Sequence, residues 1–200
     1  MSGIGILAFG SLKVNPGGEI APMIERRIPT KTPFPVEFGR YSRSRGGGPT
    51  VVPHPKGSPV EAEVLVLAPS VDLPSAKDML FRREIDQVGS ANTYRESDKP
   101  TSMLISDQPG FCDLEHVLYV DFRPDGKLEA PNVSELARAA VESVAWAPQT
   151  RDGISYLMEF MEGEAATPLT HQYEKEILVL TSTATLADAR EVARFPSGNK

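Results

Sequence analysis

Two hundred residues with 40% hydrophobic and 24% charged side chains describe an ordinary globular chain, long enough to bury a sizeable core in about one domain. The single cysteine, Cys112, excludes an internal disulfide, and His54, His116 and His171 are too scattered to form a Cys/His metal motif. A net charge of −6 argues against general nucleic-acid binding. With no leader-like N-terminus and no long apolar run, the expectation is a soluble, cytoplasmic protein that does not contact a membrane.

The charge is uneven. Residues 26–56 carry seven Lys/Arg and one acid, Glu37, a local excess of +6. Such a segment fits a small anionic ligand or a solvated loop.

In chain order, Ile4–Phe9 is an apolar run that stops at Gly10-Ser11, the pattern of a buried strand followed by a turn. Pro16-Gly17-Gly18 keeps the next stretch loose. Val36–Tyr41 alternates as a half-buried strand does, and Arg45–Pro49 is a flexible loop. Thr50–Val52 and Val60–Leu67 are the next strands, and Leu73–Ile85 reads as a helix. Ser102–Ile105 and His116–Asp121 are strands, with Pro124–Lys127 as a turn. Beyond this the chain is helical. Asn132 and Glu135 form a capping pair, and Ile154, Leu157 and Met161 recur at helical spacing. Thr167-Pro168 marks a third helix start and Thr185 with Asp188 a fourth.

Strands with one helix, then a run of helices, give an α+β class. The expected division is a mainly antiparallel sheet or a small mixed or antiparallel β-barrel over residues 1–127, with a helical extension, 128–200, packed on the same domain.

Glu84 is the unusual residue. At about 100° per residue, Leu73, Ala76, Leu80 and Glu84 share one stripe of the 73–85 helix, edged by Phe81 and Ile85. Asp78, Arg82 and Asp86 point away, although Lys77 falls near the same arc. A carboxylate held among apolar neighbours tends to have a raised pKa, which suits a general base or acid near neutrality. The rival reading is a helix-end glutamate paired with a surface arginine.

The second candidate is Phe9-Gly10-Ser11-Leu12. A Gly-Ser turn at the end of a buried strand exposes consecutive backbone N–H groups that can cradle a carboxylate. Gly10-Ser11 lacks the Gly-x-Ser-x-Gly elbow of an acyl nucleophile.

The order Phe9-Gly10-Ser11-Leu12, then Phe38 with Ser42–Thr50, then the Val-rich 60–67 run, then Arg83-Glu84 resembles the γ-glutamylcyclotransferase-like family over residues 3–122. The resemblance implies a small mixed barrel carrying helices. It implies release of 5-oxoproline from γ-glutamyl amines, γ-glutamyl amino acids or glutathione, with no cofactor and no metal. It assigns Glu84 as the catalytic acid/base and Phe9, Gly10, Ser11 and Leu12 as the loop that binds the γ-glutamyl group. Ser42, Arg43 and Arg45 are candidates for the mouth of the site, with a solvated loop as the rival reading, and Tyr94 for a tyrosine that follows the glutamate. Phe9 stands where the family usually has Tyr, and Leu12 where Asn is frequent.

The alternative expectation is a non-catalytic module that retains the barrel and binds a small anion or a partner. A third reading assigns Arg40, Arg43, Arg45 and the glycine run to a phosphate ester.

Overall fold

The computed structural model describes residues 3–148 and 151–195. Seven strands and six helices follow in the order β1 (Ile4–Ala8), α1 (Ser11–Val14), β2 (Ile24–Lys31), β3 (Val36–Ser42), β4 (Gly48–Pro53), β5 (Glu61–Leu67), α2 (Leu73–Glu84), β6 (Met103–Asp107), β7 (His116–Phe122), α3 (Val133–Trp146), α4 (Gly153–Glu162), α5 (Thr170–Thr181) and α6 (Leu186–Arg194). The class is α+β, and the chain forms two compact units. The first runs up to Pro33 and resumes over Val60–Gly126. The second joins Phe34–Pro59 to the chain from Lys127 onward.

In the first unit β1 lies at the centre of a five-stranded mixed sheet ordered β2-β5-β1-β7-β6. It runs antiparallel to β5, with Ile6 opposite Leu65, and parallel to β7, with Ile6 opposite Leu118. Alternation sends Ile6, Ala8, Leu65, Leu67 and Leu118 to one face. There they form a core with Leu12, Ile20, Ala76, Met79 and Leu80. Helix α2 therefore covers this face through Ala76, Met79 and Leu80, the three residues it buries. Asp72 caps its first turn by accepting a bond from the Ser75 N–H at 2.8 Å.

Strand β2 is absent from the sequence expectations. Its exposed Glu25, Arg26, Arg27, Pro29 and Lys31 mask the strand pattern. Charges and a proline are what an edge strand carries to discourage pairing with other chains.

The second unit is a hairpin with four helices. β3 pairs only with β4 among the named strands, in an antiparallel register from Val36/Pro53 to Ser42/Gly48. Phe38 is fully buried and meets the rings of Phe160 and Tyr173 edge-on, at 5.4 and 4.9 Å between centroids. Glu37, next to it, is also buried. Its carboxylate accepts bonds from Thr167 Oγ1 at 2.5 Å, the Phe38 N–H at 2.8 Å and the Leu169 N–H at 3.2 Å, tying β3 to the start of α5. Burial pushes the Glu37 carboxyl up, against the pull of these donors. The chain re-enters the unit by strapping to the hairpin, where the Leu128 N–H donates to Gly39 O at 2.7 Å.

The expected barrel and the expected division meet a different arrangement. Among the described residues the five-stranded sheet ends at β2 and β6, and no strand pairing closes it into a barrel. The division also differs from 1–127 and 128–200, because the β3–β4 hairpin belongs with the helices. Its apolar alternation is visible in sequence, but the aromatic partners lie more than a hundred residues away. The third helix starts at Thr170 rather than beside Pro168, since the Thr167 N–H is held by Thr170 Oγ1 at 2.8 Å.

Backbone contact between the hairpin and α4 depends on glycine. A Cβ on Gly48 would lie 2.5 Å from Gly153 N and 2.7 Å from its Cα. Gly48→Ala is therefore expected to destabilise the second unit by about 3 kcal/mol. Denaturant unfolding of the variant checks this, and a midpoint unchanged from wild type would show that the hairpin can withdraw from α4.

Candidate functional site

Phe9-Gly10-Ser11-Leu12 and Arg83-Glu84 both belong to the first unit, and the fold brings them together. β1 ends at Ala8, and Gly10 adopts φ 58°, ψ −137°, a backbone that side chains disfavour. This residue turns the chain out of the sheet into the single turn of α1. Leu12 is buried in the core beneath and anchors that turn. Inside it, the Lys13 N–H donates to Gly10 O at 3.1 Å and the Asn15 N–H to Ser11 O at 2.8 Å. The N–H groups of Ser11 and Leu12 open the turn and so have no acceptor within it.

α2 delivers its last turn to the same place. The Arg83 guanidinium donates through Nη2 to Ser11 Oγ at 3.3 Å and to Asn15 O at 2.9 Å. Through Nη1 it donates to Glu84 Oε1 at 2.5 Å. The side chains of Arg83 and Glu84 are 16% and 22% exposed, so the pair is half-buried and reachable from solvent. Glu84 occupies the final helical position, where the negative end of the helix dipole disfavours a carboxylate and favours arginine. Arg83 therefore supports an acid in an electrostatically poor position. Glu84 follows the Leu73–Ala76–Leu80 stripe only in part. Ala76 and Leu80 of that stripe are buried, together with Met79, while Leu73 and Glu84 at the two ends of the helix are half-buried.

Tyr94 is bonded within the first unit. Its ring meets Phe81 edge-on at 5.8 Å, its hydroxyl accepts a bond from the Ile105 N–H at 3.0 Å, and its own N–H donates to Asp78 Oδ1 at 2.6 Å. Phe9 is half-buried beside Gly10. Ser42 and Arg43 lie in the second unit, at the end of β3 and in the 3-10 turn Arg43–Arg45. Ser42 Oγ is buried and bonded to Ser44 Oγ at 3.1 Å. Arg43 is exposed. Arg45 stacks its guanidinium 4.5 Å from the centre of the Tyr156 ring and approaches Glu159 at 3.8 Å. A merely solvated arginine loop does not describe it.

The other flank of α2 carries a feature the sequence did not announce. Arg82 grips Glu19 through Nε at 2.9 Å and Nη2 at 2.5 Å, and donates from Nη1 to Asn92 O at 2.9 Å. Arg82 holds the Glu19 carboxyl below its ordinary value. This pair borders an open cleft of about 390 Å³ lined also by Met23, Ser75, Asp78 and Met79. Glu84 and the Gly10–Leu12 turn do not line it. A salt bridge joining residues 63 positions apart has no periodic signature, so Arg82 reads in sequence as a solvated charge.

No helix among the described residues is long and apolar enough to cross a membrane. Among the same residues no cluster of three or more His, Cys, Asp or Glu is arranged to hold a metal ion. His171 is exposed. No protein family model, no curated protein and no solved structure matches this chain.

Proposed function

We propose that the chain is a γ-glutamylcyclotransferase-like enzyme that releases 5-oxoproline from a small γ-glutamyl compound. One observation carries the reading. Arg83 joins Glu84 to Ser11, so two segments 72 residues apart, each singled out on chemical grounds, share one solvent-reachable site.

A γ-glutamyl group contains its own nucleophile, the α-amine, so the protein need not supply one. Glu84, as a carboxylate, takes a proton from the α-ammonium. The freed amine attacks the γ-carbonyl carbon and forms the ring C–N bond. The oxygen of that carbonyl becomes an oxyanion, and the N–H groups of Ser11 and Leu12 are the donors at hand to stabilise it or to hold the α-carboxylate. Collapse breaks the bond to the leaving nitrogen. Protons from the original ammonium pass by way of Glu84 to that nitrogen, giving 5-oxoproline and a free amine. Holding the chain bent for attack supplies several kcal/mol of the barrier reduction.

The second reading, a small-anion-binding or interaction module without catalysis, is favoured by the contact between Glu84 and Arg83, which occupies one carboxylate oxygen. Turnover separates the two. Purified protein incubated with γ-glutamyl amino acids, γ-glutamyl amines and glutathione is expected to release 5-oxoproline from at least one. Binding of a γ-glutamyl compound without release of any product would favour the module.

A further inference from the structure

The cleft beside the Glu19–Arg82 pair is built from two segments of the first unit. The chain before β2 supplies Glu19, Pro22 and Met23, and α2 supplies Asp78, Met79 and Arg82. The α2 positions are spaced i, i+1, i+4, so they lie on one side of the helix. Their polar groups are unequally engaged. Arg82 is the one cation among the described residues that line the cleft, and it is gripped by both Glu19 oxygens. The Gly89 N–H donates to the same carboxylate. Asp78 accepts one bond, from the Tyr94 N–H to Oδ1 at 2.6 Å. Among the described residues no donor reaches Asp78 Oδ2. Glu19 and Arg82 cancel, so the rim keeps one negative charge, that of Asp78. The rest of the lining is apolar, with Met79 buried and Met23 and Pro22 exposed.

We propose that this cleft binds a small aliphatic primary amine, its ammonium donating to Asp78 Oδ2 and its alkyl chain lying against Met23 and Met79. The proposal does not depend on the cyclotransferase reading, because neither Glu84 nor the Gly10–Leu12 turn lines the cleft. Its volume, about 390 Å³, is that of a small-molecule site rather than a peptide groove. One open carboxylate oxygen suits a monocation. A divalent metal ion would need several hard oxygen ligands, and methionine sulfur is not one. The acceptor calls for an N–H donor, which a primary ammonium carries and a quaternary one lacks. Methionine side chains are flexible and polarizable, so they follow an alkyl chain closely.

The test is a titration of the full chain, carrying ¹³C-methyl methionine, with pentylammonium chloride. Pentanol and pentanoate serve as neutral and anionic controls of the same length. The Met23 and Met79 methyl resonances are expected to shift saturably, with a Kd of about 1 mM or tighter. Those of Met103, Met158 and Met161, which do not line the cleft, should stay in place. Pentanol should bind about tenfold more weakly, and pentanoate should not saturate. Asp78→Asn keeps an acceptor for the Tyr94 N–H but not the charge. It should weaken pentylammonium about tenfold and leave pentanol unchanged. Absence of a saturable shift overturns the inference, as do equal affinities for amine and alcohol or shifts spread evenly over the methionines. So does undiminished amine binding by folded Asp78→Asn. If that variant fails to unfold cooperatively on heating, the wild-type amine-to-alcohol ratio and the pattern of shifted methyls decide.

Discussion

Glu84→Gln is expected to lower kcat by about 10²-fold or more, the scale of losing a general base. Gln keeps the size of the side chain and can still accept the Arg83 bond, but it cannot take the α-ammonium proton. Stability should barely move. The pair it weakens is partly exposed, and such pairs contribute about 0.5 kcal/mol. Removing a negative charge from the C-terminal end of α2 offsets part of that loss. The melting temperature is expected to stay within about 2 °C of wild type. Steady-state kinetics beside a thermal melt check both halves. Clear destabilisation with near-normal turnover would identify Glu84 as a structural ion-pair partner and leave the catalytic account without its base.

The largest stability effect is expected at Asp152. This carboxylate is almost fully buried at the N-cap of α4. It accepts bonds from the Ser155 N–H at 2.8 Å, Ser155 Oγ at 3.0 Å and Arg190 Nε at 2.7 Å. Asp152→Ala removes the cap and leaves the half-buried Arg190 without its acid, for a combined loss of about 3 to 5 kcal/mol. Asp152→Asn keeps the cap and should recover about 1 kcal/mol of that loss. The pH dependence has a definite sign. Burial raises the Asp152 carboxyl, but the Ser155 and Arg190 donors outweigh it and hold the group below its ordinary value. An acid depressed in the folded state contributes stability above its unfolded pKa, about 4, and loses it as pH falls through the folded value. Wild type and Asp152→Ala should therefore differ most near neutrality and converge in strong acid. A gap that persists unchanged to pH 2, roughly two units below the unfolded value, would show that packing rather than charge holds α4.

What the sequence disclosed follows the range of the forces involved. Helix caps are local, and Asn132, Thr185 and the β1 run ending at Gly10 stand where the residues place them. The Glu84 stripe gave the right helix, and the rival of a helix-end glutamate paired with an arginine named the kind of partner it has, Arg83. Periodicity assigns a face, whereas the final turn of a helix is set by what its arginines reach, here Ser11 and Asn15. Glu37 counted in sequence as one acid in a basic segment. Its burial depends on Thr167 and Leu169, donors from a distant loop that no pattern near residue 37 reveals. The same distance hid the partners of the β3–β4 hairpin and the Glu19–Arg82 staple. Tyr94 matches a family position by order alone, and its bonds to Ile105 and Asp78 leave no trace in that order.

The most direct measurement is product stoichiometry under single-turnover conditions, with enzyme in excess over a γ-glutamyl compound found to bind. The account predicts one 5-oxoproline for each free amine released by wild type, with the rate constant reduced by about 10²-fold in Glu84→Gln. Release of free glutamate in place of 5-oxoproline, or equal rates for the two proteins, would contradict intramolecular attack assisted by Glu84.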